Sequence, residues 1–228
     1  MSERILTIET STDCCSAAIC EEDKVLSERS GREMKIHASQ LVPFIKEVCD
    51  ESGTDPAGIA AVAVSGGPGS YTGLRVGVST AKGICFGRSL PLVSVDTLEI
   101  LATQGMGHDC APFRIVPFID ARRMEVYTAV FDAQARKLTE TEAVILTEES
   151  FSDLLSQGPV LFIGTGVEKF RSVCKSPNAF FMECHPMAGK MARAAFEAYK
   201  KKEFKDIAYF EPFYLKEFMI GVSKKSLL

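Results

Sequence analysis

The sequence predicts an α/β protein built from two similar lobes, and three observations carry that expectation. A glycine-rich stretch, Ser65 to Val78, stands between the apolar run Ile59–Val64 and a helical pattern that continues through Phe86. A strand, a glycine turn and a helix therefore follow one another directly. The first hundred residues and the second hundred share an outline, in which an apolar strand ending on an acid leads into a meander and then strand–helix units. Finally, 228 residues with ordinary apolar and charged fractions are enough for one large domain or two small lobes around real cores.

Taken in order, Arg4–Glu9 is a compact apolar strand that closes on the polar turn Glu9–Asp13. Cys15–Cys20 and Val25–Ser30 continue it as a meander across the charged turn Glu21–Lys24. A helix opens at His37 and places Leu41, Phe44, Ile45, Val48 and Cys49 on one face; Gly53 ends it. Ser39 is its expected cap, which puts Pro43 near the first turn, where proline is tolerated. After the glycine stretch come a short strand at Pro91–Val95 and a short helix at Thr97–Thr103. The Gly105–Asp109 turn is the expected hinge, so the lobes read as residues 1–104 and 105–228.

The second half repeats the plan. Arg114–Ile119 ends on Asp120 as Ile5–Ile8 ends on Glu9; Met124–Phe131 and a segment near Leu138–Leu146 follow as strands. A helix is expected near Glu148–Ser156. Val160–Ile163 then runs into Gly164-Thr165-Gly166 and another short helix, and Pro186–Lys202 is an amphipathic helix expected to pack back on the first lobe. Two duplicated lobes leave a cleft, the default place for a ligand.

The glycine turn offers a helix start capped by Ser70 or Thr72, where free amides and the helix dipole favour an anion, phosphate above all. Neither established phosphate fingerprint is present: Leu74-Arg75 stands where a Walker loop needs Lys-Ser/Thr, and the glycine spacing misses G-x-G-x-x-G. Thr10 and Ser11, with Gly66, Gly67, Gly69 and Ser70, form the candidate nucleotide or phosphate set. The same residues serve equally as caps and turn formers. Within the following helix Gly73, Gly77 and Ala81 recur every four residues as a smooth stripe, and such glycines admit a close second backbone. That backbone belongs either to the chain's own sheet or to another subunit.

Composition excludes several classes. The net charge of −4 gives no global nucleic-acid field, and Lys200–Lys202 with Lys205 form one local basic patch. No apolar run is long enough to span a bilayer, and Met1-Ser2-Glu3-Arg4 leads straight into a strand, so a cytoplasmic protein is expected. The eight cysteines show no C-x-x-C spacing and read as reduced thiols.

The residues resemble a known family. Ile5–Ser11, His37 with Leu41 and Pro43, Ser65–Gly83, Pro91–Val95, Ile119–Tyr127 and Tyr214-Leu215-Lys216 together look like the TsaB (YeaZ) family over nearly the whole chain. Lys216 stands where arginine is common. The resemblance implies an actin/hsp70-like ATPase (ASKHA) fold and a place in threonylcarbamoyladenosine (t6A) modification of the tRNA adenosine next to the anticodon. It further implies a paralogous TsaD transferase as partner, a TsaE-like ATPase joining the pair, tRNA reached through the complex, and a homodimer when the partner is missing.

In TsaD two histidines four apart hold a metal. The matching positions here are Thr97 and Leu101, neither a substitute for imidazole. The resemblance thus implies a non-catalytic subunit with no metal and no catalytic residue, needing no cofactor of its own, with ATP or ADP at the interface with its partners. It places the partner contact on two helices, through His37, Leu41, Ile45, Val48, Gly73, Arg75, Gly77 and Ala81. The competing expectations are a stand-alone ATP-using phosphotransferase or ATPase and, less favoured, a metallopeptidase.

Overall fold

The fold is that of a computed structural model, which describes residues 3–32 and 36–215. The first sheet is formed by β1 (Arg4–Glu9), β2 (Cys15–Glu21), β3 (Lys24–Gly31), β4 (Ile59–Ser65) and β5 (Leu92–Val95), in the order β3-β2-β1-β4-β5. β1, β2 and β3 form an antiparallel meander, while β4 and β5 run parallel to β1. The second sheet contains β6 (Arg114–Asp120), β7 (Glu125–Thr128), β8 (Glu142–Ile145), β9 (Val160–Gly164) and β10 (Ala179–Met182). Its order, β8-β7-β6-β9-β10, repeats the first strand for strand, with the same senses. The duplication legible in the sequence is therefore a duplication of topology.

Both faces of each sheet are covered, which is why the central strands are near-continuous apolar runs instead of alternating ones. Leu6, Ile8, Val62 and Val64 face α1 (Ile36–Glu51) and α2 (Tyr71–Arg88). On the opposite face Ile5, Ala18 and Val93 meet Met191, Ala195 and Phe196 of the late chain, where a single 3-10 turn (Ala188–Met191) leads into α6 (Ala192–Lys200). The second sheet is covered on one side by α3 (Thr97–Gln104), whose Leu98 and Leu101 pack on Ile115, Leu161 and Ile163. On its other side α4 (Ser152–Gln157) and α5 (Val167–Arg171) close over an aromatic cluster centred on Phe162. Thus α3, early in the chain, covers the late sheet, and α6, late in the chain, covers the early one.

Several local expectations are corrected. α1 already includes Ile36, so Ser39 lies inside it instead of capping it, and Pro43 is an interior residue. Proline there removes one backbone hydrogen bond and is tolerated on the exposed side of the helix. The late helix is shorter than Pro186–Lys202, and the helix expected near Glu148 begins at Ser152, after Phe151 in the left-handed region. β10 has no counterpart in the sequence reading.

Candidate functional site

Two turns face each other across the molecule. In the first lobe β1 delivers Glu9 to the β1–β2 turn, and the β4–α2 turn lies against it: the Ser70 amide donates to the Ser11 carbonyl at 2.6 Å, and the Gly66 amide to Val95 at 2.8 Å. Ser70 is the cap of α2, its hydroxyl accepting from the Gly73 amide at 3.2 Å. In the second lobe the equivalent β6–β7 turn carries Asp120, whose carboxylate accepts from the Arg122 amide and from Lys169, each at 2.7 Å. Arg122 and Arg123 both adopt positive φ, 72° and 46°, uncommon for residues with a Cβ. Between the turns lies an open cleft of about 1570 Å³, lined by Ser11, Thr12, Gly69 and Ser70 on one side and by Asp120, Arg123 and Thr165 on the other. His185 also lines the cleft, its Nδ1 standing 3.0 Å from Asp13, and burial holds its pKa below the ordinary imidazole value.

The candidate phosphate set is divided by this geometry. Ser11, Gly69 and Ser70 open into the cleft. Gly66 and Gly67 do not. The backbone of Phe213 passes over them, its amide donating to the Gly66 carbonyl at 2.7 Å and its carbonyl lying 2.6 Å from where a Gly67 Cβ would be. Gly67 has φ +98°, so a side chain there is disfavoured twice over. Thr10 is fully buried beneath α2.

The helix stripe is corrected as well. A Cβ on Gly73 would overlap the Thr10 carbonyl, and one on Gly77 the Thr10 hydroxyl. The second backbone that these glycines admit is the chain's own β1–β2 turn. Ala81, Leu41 and Val48 are buried in the first-lobe core, so they and the two glycines offer no surface to a partner. Of the expected contact residues Arg75 is exposed, and His37 and Ile45 are half-buried.

The outward side of the same helix pair carries different residues: Phe86 of α2 is 82% exposed and Val42 of α1 64%, and Ser79 and Gly83 of α2 are exposed as well. A Cβ on Gly83 would meet nothing within 4 Å. Sequence reasoning missed Phe86 and Val42 because single exposed apolar residues carry no periodic signal. It also missed the late segment's hold on α2: the Tyr214 ring lies 4.9 Å from Tyr71, and its hydroxyl accepts from Arg75 Nε at 3.3 Å. Lys216, the last residue of that motif, lies outside the described residues.

Glu9 is fully buried at the base of the first turn, where its Oε1 accepts from the Ser11 amide at 2.5 Å. Burial pushes its pKa up to about 7, and hydrogen bonds from Ser11 and Ser65 only partly oppose the shift. A folded-state value above the unfolded one means that the native protein holds the extra proton. The stabilisation is therefore complete below about pH 4.5 and is lost as the pH rises through about 7. The loss amounts to about 3 kcal/mol. Glu9→Gln is expected to flatten the dependence of Tm on pH between these values, raising Tm most at alkaline pH. Melting curves across that range test it, and parallel wild-type and variant profiles would disprove the assignment.

The comparisons with known proteins agree on a lineage. A family model described as tRNA N6-adenosine threonylcarbamoyltransferase (TsaD) matches residues 32–227. The tRNA threonylcarbamoyladenosine biosynthesis protein TsaB of Escherichia coli strain K12 is 31% identical over 93% of this chain and 94% of its own length. The chain belongs to the TsaB family. YeaZ from Pseudomonas aeruginosa, 25% identical, superposes on it with a TM-score of 0.78, covering 93% of this chain and all of that one. The TsaB-family lobes also match the activator of 2-hydroxyisocaproyl-CoA dehydratase from Clostridium difficile, solved with bound ADPNP, at a TM-score of 0.51 and 9% identity. That likeness shows the fold alone, and the fold is the actin/hsp70-like ATPase class expected from the sequence.

At Thr97 and Leu101, where the resemblance to the catalytic relative places histidines, this TsaB-family chain has two fully buried residues. Leu101 belongs to the second-lobe core, against Gly164. Among the described residues no three His, Cys, Asp or Glu side chains are grouped to hold a metal ion. No described helix is long and apolar enough to cross a membrane.

Proposed function

We propose that this chain is the non-catalytic subunit that binds and activates a TsaD-like transferase in t6A synthesis, docking through the outward side of α1 and α2. The observation that carries this reading is the exposure of Phe86 and Val42 on a helix pair whose inward side is already closed by its own sheet. Large exposed apolar side chains on adjacent helices are the usual anchors of a helix–helix interface. The TsaD family match supports a partner of the same fold, and two related chains can pair such surfaces in a pseudo-symmetric dimer. The same surface serves a homodimer when the transferase is absent.

The buried Thr97 and Leu101 support a subunit without catalytic residues of its own. The passage of Phe213 over Gly66 and Gly67 weighs against a stand-alone ATPase using the glycine turn. Any ATP or ADP enters with the assembled partners, the transferase and a TsaE-like ATPase, in the cytoplasm.

Phe86→Asp with Val42→Asp is expected to weaken the complex with the transferase by about 30- to 1000-fold, the range of a lost anchor. The isolated variant should keep its fold. Calorimetric titration of the two subunits reads the affinity, and tRNA nucleoside mass spectrometry after replacing the wild-type chain reads t6A. Undiminished affinity would remove the docking surface, and undiminished t6A after depletion of the chain would remove the pathway role.

A further inference from the structure

α6 ends at Lys200, and Lys201 and Lys202 form the turn that follows, Lys202 with φ 58°. The chain then returns along the edge of the first sheet, where the Lys205 amide donates to the Leu92 carbonyl at 2.8 Å. Four ammonium groups are thereby fixed within six residues of a chain whose net charge is −4. All four residues are exposed, and none is ion-paired among the described residues.

Glu203 is exposed within the segment, and the other acids close to it are engaged elsewhere. Glu197 pairs with Arg193, Glu3 accepts from the Tyr199 hydroxyl, and Asp206 accepts from the Ala208 and Tyr209 amides. Two aromatic rings accompany the lysines: Phe204, 40% exposed beside a groove of about 460 Å³ that Lys200 and Lys202 also line, and Tyr209, 85% exposed. Unpaired cations interleaved with exposed ring faces suit a strand of nucleic acid, phosphates on the lysines and a base or ribose on the rings. The segment also touches α2, since Lys82 Nζ reaches the Ala208 carbonyl at 3.5 Å. It thus borders the helix pair to which the transferase is assigned.

We propose that the Lys200–Tyr209 segment is the RNA-facing surface of this subunit and holds the backbone of the tRNA engaged by the complex. The proposal rests on the transferase-partner reading above. Its test uses the assembled complex carrying Lys200→Ala, Lys201→Ala, Lys202→Ala and Lys205→Ala together, with Tyr209→Ala as a separate variant. Co-elution with the transferase is measured first, and its loss with the wild-type chain would sink the partner reading. The surface would then be judged by the same tRNA titration on the chain alone.

In either form, the plot of log affinity against log salt should lose about 3 units of slope in the four-lysine variant, at about 0.7–0.9 per phosphate contact. Tyr209→Ala should weaken binding about fivefold or more without changing the slope. An unchanged slope with the complex intact would overturn the inference and leave the partner reading standing. Lysine-dependent binding to phosphatidylglycerol vesicles, with tRNA affinity unaltered, would overturn it in favour of a membrane surface.

Discussion

Gly77→Leu is expected to remove a large part of the protein's stability. The Cβ alone would overlap the Thr10 hydroxyl, and Thr10 sits on the turn that also receives Gly73 and, through Ser11, the cap of α2. The side chain cannot be accommodated by turning one residue aside, because turn and helix are locked together over two glycines. Overpacking of this kind costs about 3 kcal/mol or more, which for a chain of this size lowers Tm by roughly 6–12 °C. Phe86→Asp, on the opposite side of the same helix, should change stability by no more than about 0.5 kcal/mol. Thermal melts of the two isolated variants separate the inward and outward sides of α2. Equal melting temperatures would show that the glycines do not hold α2 to its sheet.

The second large effect is expected at Phe162. Its ring centroid lies 5.3 Å from that of Phe118, 5.4 Å from Phe151, 4.8 Å from Phe170 and 5.6 Å from Phe181, so one side chain joins β6, β9, β10, α5 and the approach to α4. Phe162→Ala should cost about 3–5 kcal/mol, through the lost transfer energy and the cavity left among rings that cannot all collapse inward. Because α3 and α6 each cover the other lobe's sheet, calorimetry should show one shifted transition, lower by roughly 6–20 °C. A second-lobe transition appearing separately from an unshifted first would contradict that coupling.

Much of the fold was legible because the signals are local. Ile5–Ile8, Ile59–Val64 and Arg114–Ile119 are apolar runs too short for helices and bounded by turn residues, and the repeated order of run, acid and meander exposed the duplication. β10 escaped because Ala179–Met182 is only four residues long and does not alternate, although Ser176-Pro177-Asn178 marks its start. The site was legible only in part. A glycine every four residues announces that a backbone comes close, but the spacing is silent about whose backbone it is; here it is Thr10, more than sixty positions earlier. The same holds for Gly66 and Gly67, whose neighbour Phe213 lies at the far end of the chain. Leu41 and Val48 form a good apolar stripe because they face their own core. The residues on the outward side, Val42 and Phe86, look like isolated exceptions to the pattern.

The exchange of covering helices has a consequence for synthesis. While the nascent chain is still being made, β1, β2, β4 and β5 can assemble and take α1 and α2 on one side, but Ile5, Ala18 and Val93 have only partial cover from Ile100 of α3 until Met191 and Phe196 emerge from the ribosome. The half of the molecule translated first is therefore the half finished last, and in the interval it presents a greasy, half-clad sheet that chaperones have reason to shield.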